Sequence, residues 1–178
     1  DQRGSDMIAV GARGLTRSQR FLVGSVSQRV ARYAPCSVLV TRSVAETRSS
    51  NQPLRMLVCH DGSESSREAV QRLSRFHWGP QVEITLLSVF TIDIYPEMMS
   101  YEKPAALLQQ ERQHADASLE WAVAQLQPTG ATVRRELREA DSIADEIVAI
   151  AENSSADLVV LGHRGLGRIE RFFLGSVS

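Results

Sequence analysis

The chain has 178 residues, 43% of them apolar and 23% charged, with a net charge of −1. That length suits one domain, or one domain and part of another, and can bury a core without disulfide or metal staples. The composition argues against wholesale disorder, and no apolar run approaches the ~20 residues of a membrane span.

The opening segment Asp1-Gln2-Arg3-Gly4-Ser5-Asp6 has no apolar stretch of the kind that marks a secretory signal. The two cysteines, Cys36 and Cys59, form neither a C-x-x-C pair nor a framework. That usage suits a reducing compartment, so a cytoplasmic location is expected. The charge is uneven: residues 1–50 carry eight Arg and three acidic residues, a net +5, while the remainder nets −6. A basic half can signal nucleic acid. Here no aromatic stacking platform accompanies the Arg residues, and several recur inside one short motif. A local anion is the better match, and neither nucleic acid nor membrane is expected as a partner.

In chain order, an apolar strand runs from Asp6 to Gly11. Val26, Val30 and Tyr33 then have helical spacing, and Pro35 cannot continue that helix. Ser37–Thr41 reads as a strand. The polar, Ser-rich stretch that ends at Pro53 reads as a linker over residues 44–53. Beyond it Leu54–Cys59 is a buried-type strand, and Ser65-Ser66-Arg67-Glu68 is a capping box that opens a helix to about Phe76. Val82–Phe90 is a strand rich in β-branched residues. Leu108, Ala115, Leu119, Ala122 and Leu126 mark one face of a long helix that ends before Pro128. Thr132–Leu137 is a weaker strand. Ile143, Ile147 and Ile150 mark another helix, and Leu158–Leu161 a further strand. Strands alternating with helices predict a parallel sheet with helices on both faces.

The chain also contains a repeat. Residues 6–27 align without gaps with residues 157–178, at an offset of 151, and 12 of the 22 positions are identical. That period is one whole domain. The expected organisation is the C-terminal part of one repeat (1–43), a linker (44–53) and a second repeat (54–178) without its last helix and strand. Residues 6–43 carry those same two elements, so they are expected to complete the second repeat's sheet in permuted fashion, with dimerisation as the alternative outlet.

In each copy the strand runs into glycines: Gly11-x-x-Gly14, nine residues, Gly24-Ser25; then Gly162-x-x-Gly165, nine residues, Gly175-Ser176. Neither a Walker A loop nor a G-x-G-x-x-G fingerprint is present. The physics can still serve a phosphate. Glycines let backbone N–H groups approach it, and a Gly-Ser at a helix start adds free N–H groups, the helix dipole and a hydroxyl. Arg164, Arg168 and Arg171 would add positive field. Alternatively the glycines are turn formers copied by duplication.

This G-x-x-G-x9-G-S pattern resembles the universal stress protein family. So do the strand before it (Asp-x followed by three apolar residues and Gly), Ala34-Pro35-Cys36-Ser37-Val38-Leu39-Val40, and Leu57-Val58-Cys59-His60-Asp61-Gly62-Ser63-x-x-Ser66. The resemblance spans nearly the whole chain. It implies a five-stranded parallel open sheet of order 3-2-1-4-5, an adenine-nucleotide alpha hydrolase-like fold, with ATP between the ends of strands one and four and possible company from Mg2+. Carried over, Asp61 faces the adenosine and Val89 contacts adenine. Gly162, Gly165, Gly175 and Ser176 hold the phosphates, with Val177 beside them and Arg164 in the loop. In the first repeat Gly11, Gly14, Gly24 and Ser25 match the phosphate part only. Subunits or tandem lobes would pair through the fifth strand. Two departures stand out: His60 replaces a small or apolar residue, and Glu139-Ala140-Asp141-Ser142 replaces a Gly-Asp-Pro.

On sequence physics alone Asp61 is a turn former that caps the next helix; the resemblance makes it a ligand. His163 is expected to face solvent, because its counterpart is Ala12. His60, His77 and His114 lack metal-ligand spacing, so no metal site is assigned. Both cysteines are expected to be small buried hydrophobes. Tyr95, Met98, Met99 and Tyr101 fall in a long stretch expected to be a packed loop or an irregular helix start. No acidic residue stands out as a catalytic base, so any ATP hydrolysis is expected to be slow. The leading expectation is an ATP-binding stress or regulatory module. The alternatives are an adenine-nucleotide hydrolase or transferase on the same fold, and a dimerisation module with an empty site.

Overall fold

The computed structural model describes residues 6–12, 24–41, 52–90 and 105–163, without the side chains of 105–108. These fall in two compact units, the first with residues 6–12 and 24–41 and the second with the rest.

The first unit is a strand, β1 (Met7–Gly11), a helix, α1 (Ser25–Tyr33), and a strand, β2 (Ser37–Thr41). The two strands pair in parallel, Met7 opposite Ser37 through Gly11 opposite Thr41. Parallel pairing requires a crossover, and α1 lies within it. The helix ends where Ala34 turns extended ahead of Pro35, as a residue before proline prefers.

The second unit contains β3 (Leu54–Cys59), α2 (Glu64–Leu73), β4 (Val82–Phe90), α3 (Ala105–Leu126), β5 (Thr132–Glu139), α4 (Ile143–Asn153) and β6 (Leu158–Val160). Its strands form one parallel sheet in the order β5-β4-β3-β6. In the repeat's own count that order is 3-2-1-4. The alternation of side chains decides which helices cover which face. Met56 and Val58 of β3 and Val82, Ile84 and Leu86 of β4 form one core cluster with Val70 of α2 and Leu119, Ala122 and Leu126 of α3. Leu57 and Leu87 point to the opposite face and are equally buried. α4 contacts the sheet through β4. The fold is therefore an open α/β sheet with helices on both faces.

Three expectations need correction. Among the described residues the sheet has four strands rather than five, and the fifth-type strand, β2, pairs with β1 in a separate two-stranded sheet. Among the described residues, β1 and β2 therefore do not join the second repeat's sheet as expected. The cap of α2 is Ser63, not Ser65: Ser66 N–H donates to Ser63 Oγ at 3.2 Å, and Ser66 Oγ donates to Ser63 O at 3.0 Å. The same helix stops at Leu73 rather than near Phe76, where Trp78 Nε1–H donates to the Leu73 carbonyl at 2.9 Å.

Candidate ligand site at the carboxyl edge of the sheet

β3 is the switch point of the second sheet. Its chain successors β4 and β5 lie on one side, and β6, formed last, lies on the other. In open sheets of this kind the crevice outside the carboxyl ends at a switch point is the usual ligand site.

Three sequence-predicted residues meet at that edge. Asp61 follows β3 by two residues, and the register that sets Cys59 opposite Leu87 brings it level with Val89 on β4. Gly162 follows β6 by two residues, on the other flank of β3. Val89 is half-buried and pairs with Arg138 of β5.

Asp61 is built into the turn that starts α2. Its Oδ1 accepts from Ser63 N–H at 3.0 Å, and Gly62 takes φ +80°, a conformation that favours glycine. The turn role read from the residues alone is thus present in the structure. Gly162 has a different constraint. A Cβ on it would fall 2.7 Å from Ser66 N and 2.8 Å from Ser65 Oγ. The loop after β6 therefore packs its backbone directly on the first turn of α2, which no other residue type allows without displacement. This glycine is at least a packing residue, and it ties the loop to the Asp61 turn.

The first unit shows the motif's other half. The Ala12 carbonyl accepts from Gly24 N–H at 2.7 Å, and Ser27 Oγ donates to the Gly11 carbonyl at 2.6 Å. Gly11 and Gly24-Ser25 are thereby brought together. Gly24 caps α1 without a side chain, the first-turn N–H groups have no intrahelical acceptor, and Ser25 in that turn is exposed. That donor set suits an anion. Gly14, Arg164, Gly165, Arg168, Arg171, Gly175, Ser176 and Val177 lie outside the described residues, as do Tyr95, Met98, Met99 and Tyr101.

A cluster not singled out as site residues from sequence surrounds Asp61. His60 is 1% exposed, its Nε2 is 2.9 Å from Ser118 Oγ on α3, and its ring stacks on Trp121 at 5.7 Å between centroids. The Arg67 guanidinium lies 4.9 Å from the Trp121 ring centroid, and Arg67 Nε–H donates to the Gly62 carbonyl at 3.1 Å. Burial holds the His60 imidazole below its usual range, against the pull of Asp61 and with a further push from Arg67. Burial, then the charge of Asp61, pushes the Cys59 thiol up to about 12, so it stays protonated. Both cysteines are free and half-buried, and His163 is exposed. The one signal for the cluster was the unusual histidine before Asp61; its partners are 58 and 61 residues away on α3.

A parallel sheet with helices on both faces, with an acidic turn and a glycine flanking its switch point, defines an open α/β class. Within it, this chain belongs to the universal stress protein family, whose model matches residues 1–42 and 54–178. Among curated relatives, a putative universal stress protein of Staphylococcus epidermidis is 52% identical over 40 residues, 22% of this chain and 24% of that protein. The match thus spans about a quarter of that relative's length. Among solved structures, a universal stress protein family member from Burkholderia pseudomallei has a TM-score of 0.53 at 21% identity, over 64% of this chain and 84% of that one. UspA from Lactobacillus plantarum has a TM-score of 0.51 at 23% identity, over 71% and 88%. At these identities the structural likenesses establish the fold. Among the described residues no helix is long and apolar enough to cross a membrane.

Proposed function

We propose that the chain is an adenine-nucleotide-binding module of a stress-response protein, with ATP as its ligand, alone or with Mg2+. The observation that carries this reading is the placement of Asp61, Val89 and Gly162 on three adjacent parallel strand ends astride the switch point. On this reading Asp61 and Val89 contact the adenosine. Gly162, Arg164, Gly165, Gly175, Ser176 and Val177 form the phosphate loop, and Gly11, Gly14, Gly24 and Ser25 form its counterpart in the first repeat. The uncapped start of α1 is the chemistry such a counterpart needs.

The output is conformation or association rather than turnover. Asp61 is tied into a helix-capping turn by Ser63 N–H, which is the environment of a structural carboxylate and not of a base held against a water. Two repeats joined by residues 44–53, pairing through β2 and a cytoplasmic location complete the proposal. Isothermal titration with ATP tests it, with Gly165→Val as the control. The wild-type chain is expected to bind and the variant to lose binding. Equal binding by both, or none by either, contradicts the reading. Sustained hydrolysis of more than about a few cycles per minute, against the 1–100 per second of dedicated kinases, would favour an enzyme.

A further inference from the structure

His60 is the one titratable side chain among the described residues that is fully buried, and it immediately precedes Asp61. Its surroundings are built from three elements. On its own element it is flanked by the protonated Cys59 thiol and the Asp61 carboxylate. From α2 come Arg67 and the Ser66 backbone. From α3 come Ser118, the Trp121 ring and, beside Gly62, His114, whose Nε2 is 3.7 Å from the place of a Gly62 Cβ.

Ser118 touches the chain on both sides of Asp61. Its Oγ is 2.9 Å from His60 Nε2 and 3.0 Å from the place of a Gly62 Cβ. The residue before Asp61 and the residue after it are therefore both held against one point of α3. The other imidazole nitrogen, Nδ1, is buried and has no hydrogen-bond partner among the described residues.

We propose that the His60–Ser118 pair positions Asp61 for its ligand, and that protonation of His60 undoes the pair, so that acid weakens nucleotide binding. The proposal rests on the nucleotide reading given above. Neutral imidazole meets Ser118 with Nε2 and leaves one nitrogen unmatched. Imidazolium carries two N–H donors and a charge into the same buried slot, where the Ser118 hydroxyl and the Ser66 and Ser118 backbone offset its lost hydration only in part. Asp61 would attract that charge and Arg67 would repel it, and the burial is what tips the balance. The cheapest relief is for the ring to leave the slot between α2 and α3, and Asp61 and Gly62 must then move with it.

The test is the ATP dissociation constant of the full chain between pH 8 and pH 5, for wild type, His60→Gln and Ser118→Ala. The glutamine keeps a hydrogen bond to Ser118 and cannot take a proton in this range. His60→Gln is expected to bind within about threefold of wild type at pH 7.5, since one hydrogen bond is exchanged for another. Wild-type affinity is expected to fall more steeply than that of His60→Gln below about pH 6.5, with a limit of about tenfold per pH unit for one proton. The glutamine variant retains only the slope that the nucleotide's own phosphate contributes. Ser118→Ala is expected to weaken binding by about 2–10-fold at pH 7.5. Parallel pH profiles for wild type and His60→Gln would overturn the proposal. Absence of ATP binding by wild type at every pH overturns the nucleotide reading instead. The pair is then judged in a Trp78→Phe chain, where Trp121 fluorescence reports His60. A pH step abolished by His60→Gln sustains the release, and a step that survives the substitution ends it.

Discussion

The junctions after β1 and after β6 carry the same motif, yet their neighbours treat them differently. Ala12, one residue past Gly11, is buried, and its N–H donates to the Thr41 carbonyl of β2 at 2.7 Å. Its counterpart, His163, is exposed. At the strand starts the order reverses. Met7 is 57% exposed, while its counterpart Leu158 pairs with Met56 and packs on the core. β1 is paired with β2 along its whole length, yet only Ala12, just past its end, is buried, while in β6 it is the Leu158 end that packs on the core. The motif thus sets local chain geometry, and what packs around each copy decides which of its residues carries stability.

This contrast makes predictions of decreasing size. Leu119 is fully buried in the cluster between α3 and the sheet, so Leu119→Ala is expected to cost about 2–5 kcal/mol in urea unfolding. Met7→Ala, at an exposed strand start, is expected to stay within about 0.5 kcal/mol. A comparable loss for both would break the comparison. Gly162→Ala would press a methyl onto the first turn of α2, and about 1–3 kcal/mol of destabilisation is expected. A neutral result would mean that the loop does not lie on α2. Ser63→Ala removes the cap of α2 and is expected to cost about 1 kcal/mol, measured the same way.

The last prediction concerns pH. His60 has a folded-state pKa below its unfolded value, so the unfolded chain takes up the proton first. Its contribution to stability is full above about pH 6.5 and is lost as pH falls from there through the folded pKa. The urea midpoint should therefore drop below that pH in wild type and drop less in His60→Gln.

Much of this architecture can be read from residues in order. β3 and β4 follow from apolar, β-branched runs between turn residues, and their observed limits match the expected Leu54–Cys59 and Val82–Phe90. β5 is harder, because Arg134, Arg135, Arg138 and Glu139 make an exposed, charged strand at the sheet's edge, with pairing rather than burial as its signal. The cap of α2 was ambiguous, since Ser63-x-x-Ser66 and Ser65-x-x-Glu68 both offer a serine at the right spacing. The Asp61-Gly62 turn, with its positive φ, selects the first. Of the candidate site residues, Asp61 and Gly162 stand out in the motif. The roles of Ser118 and Trp121 do not, because contacts made across about sixty residues leave no local pattern. The packing of Gly162 on Ser66 was hidden for the same reason.

The proposed adenine nucleotide sits at the carboxyl edge beside β3. Photolabelling of the chain with an azido-adenine analogue of ATP, followed by peptide mapping, tests this placement most directly. The label is predicted on peptides containing Asp61 and Val89, displaced by excess ATP. Displaceable label confined to the opposite edge, on peptides containing Phe76–Gln81 or Gln127–Ala131, would contradict it.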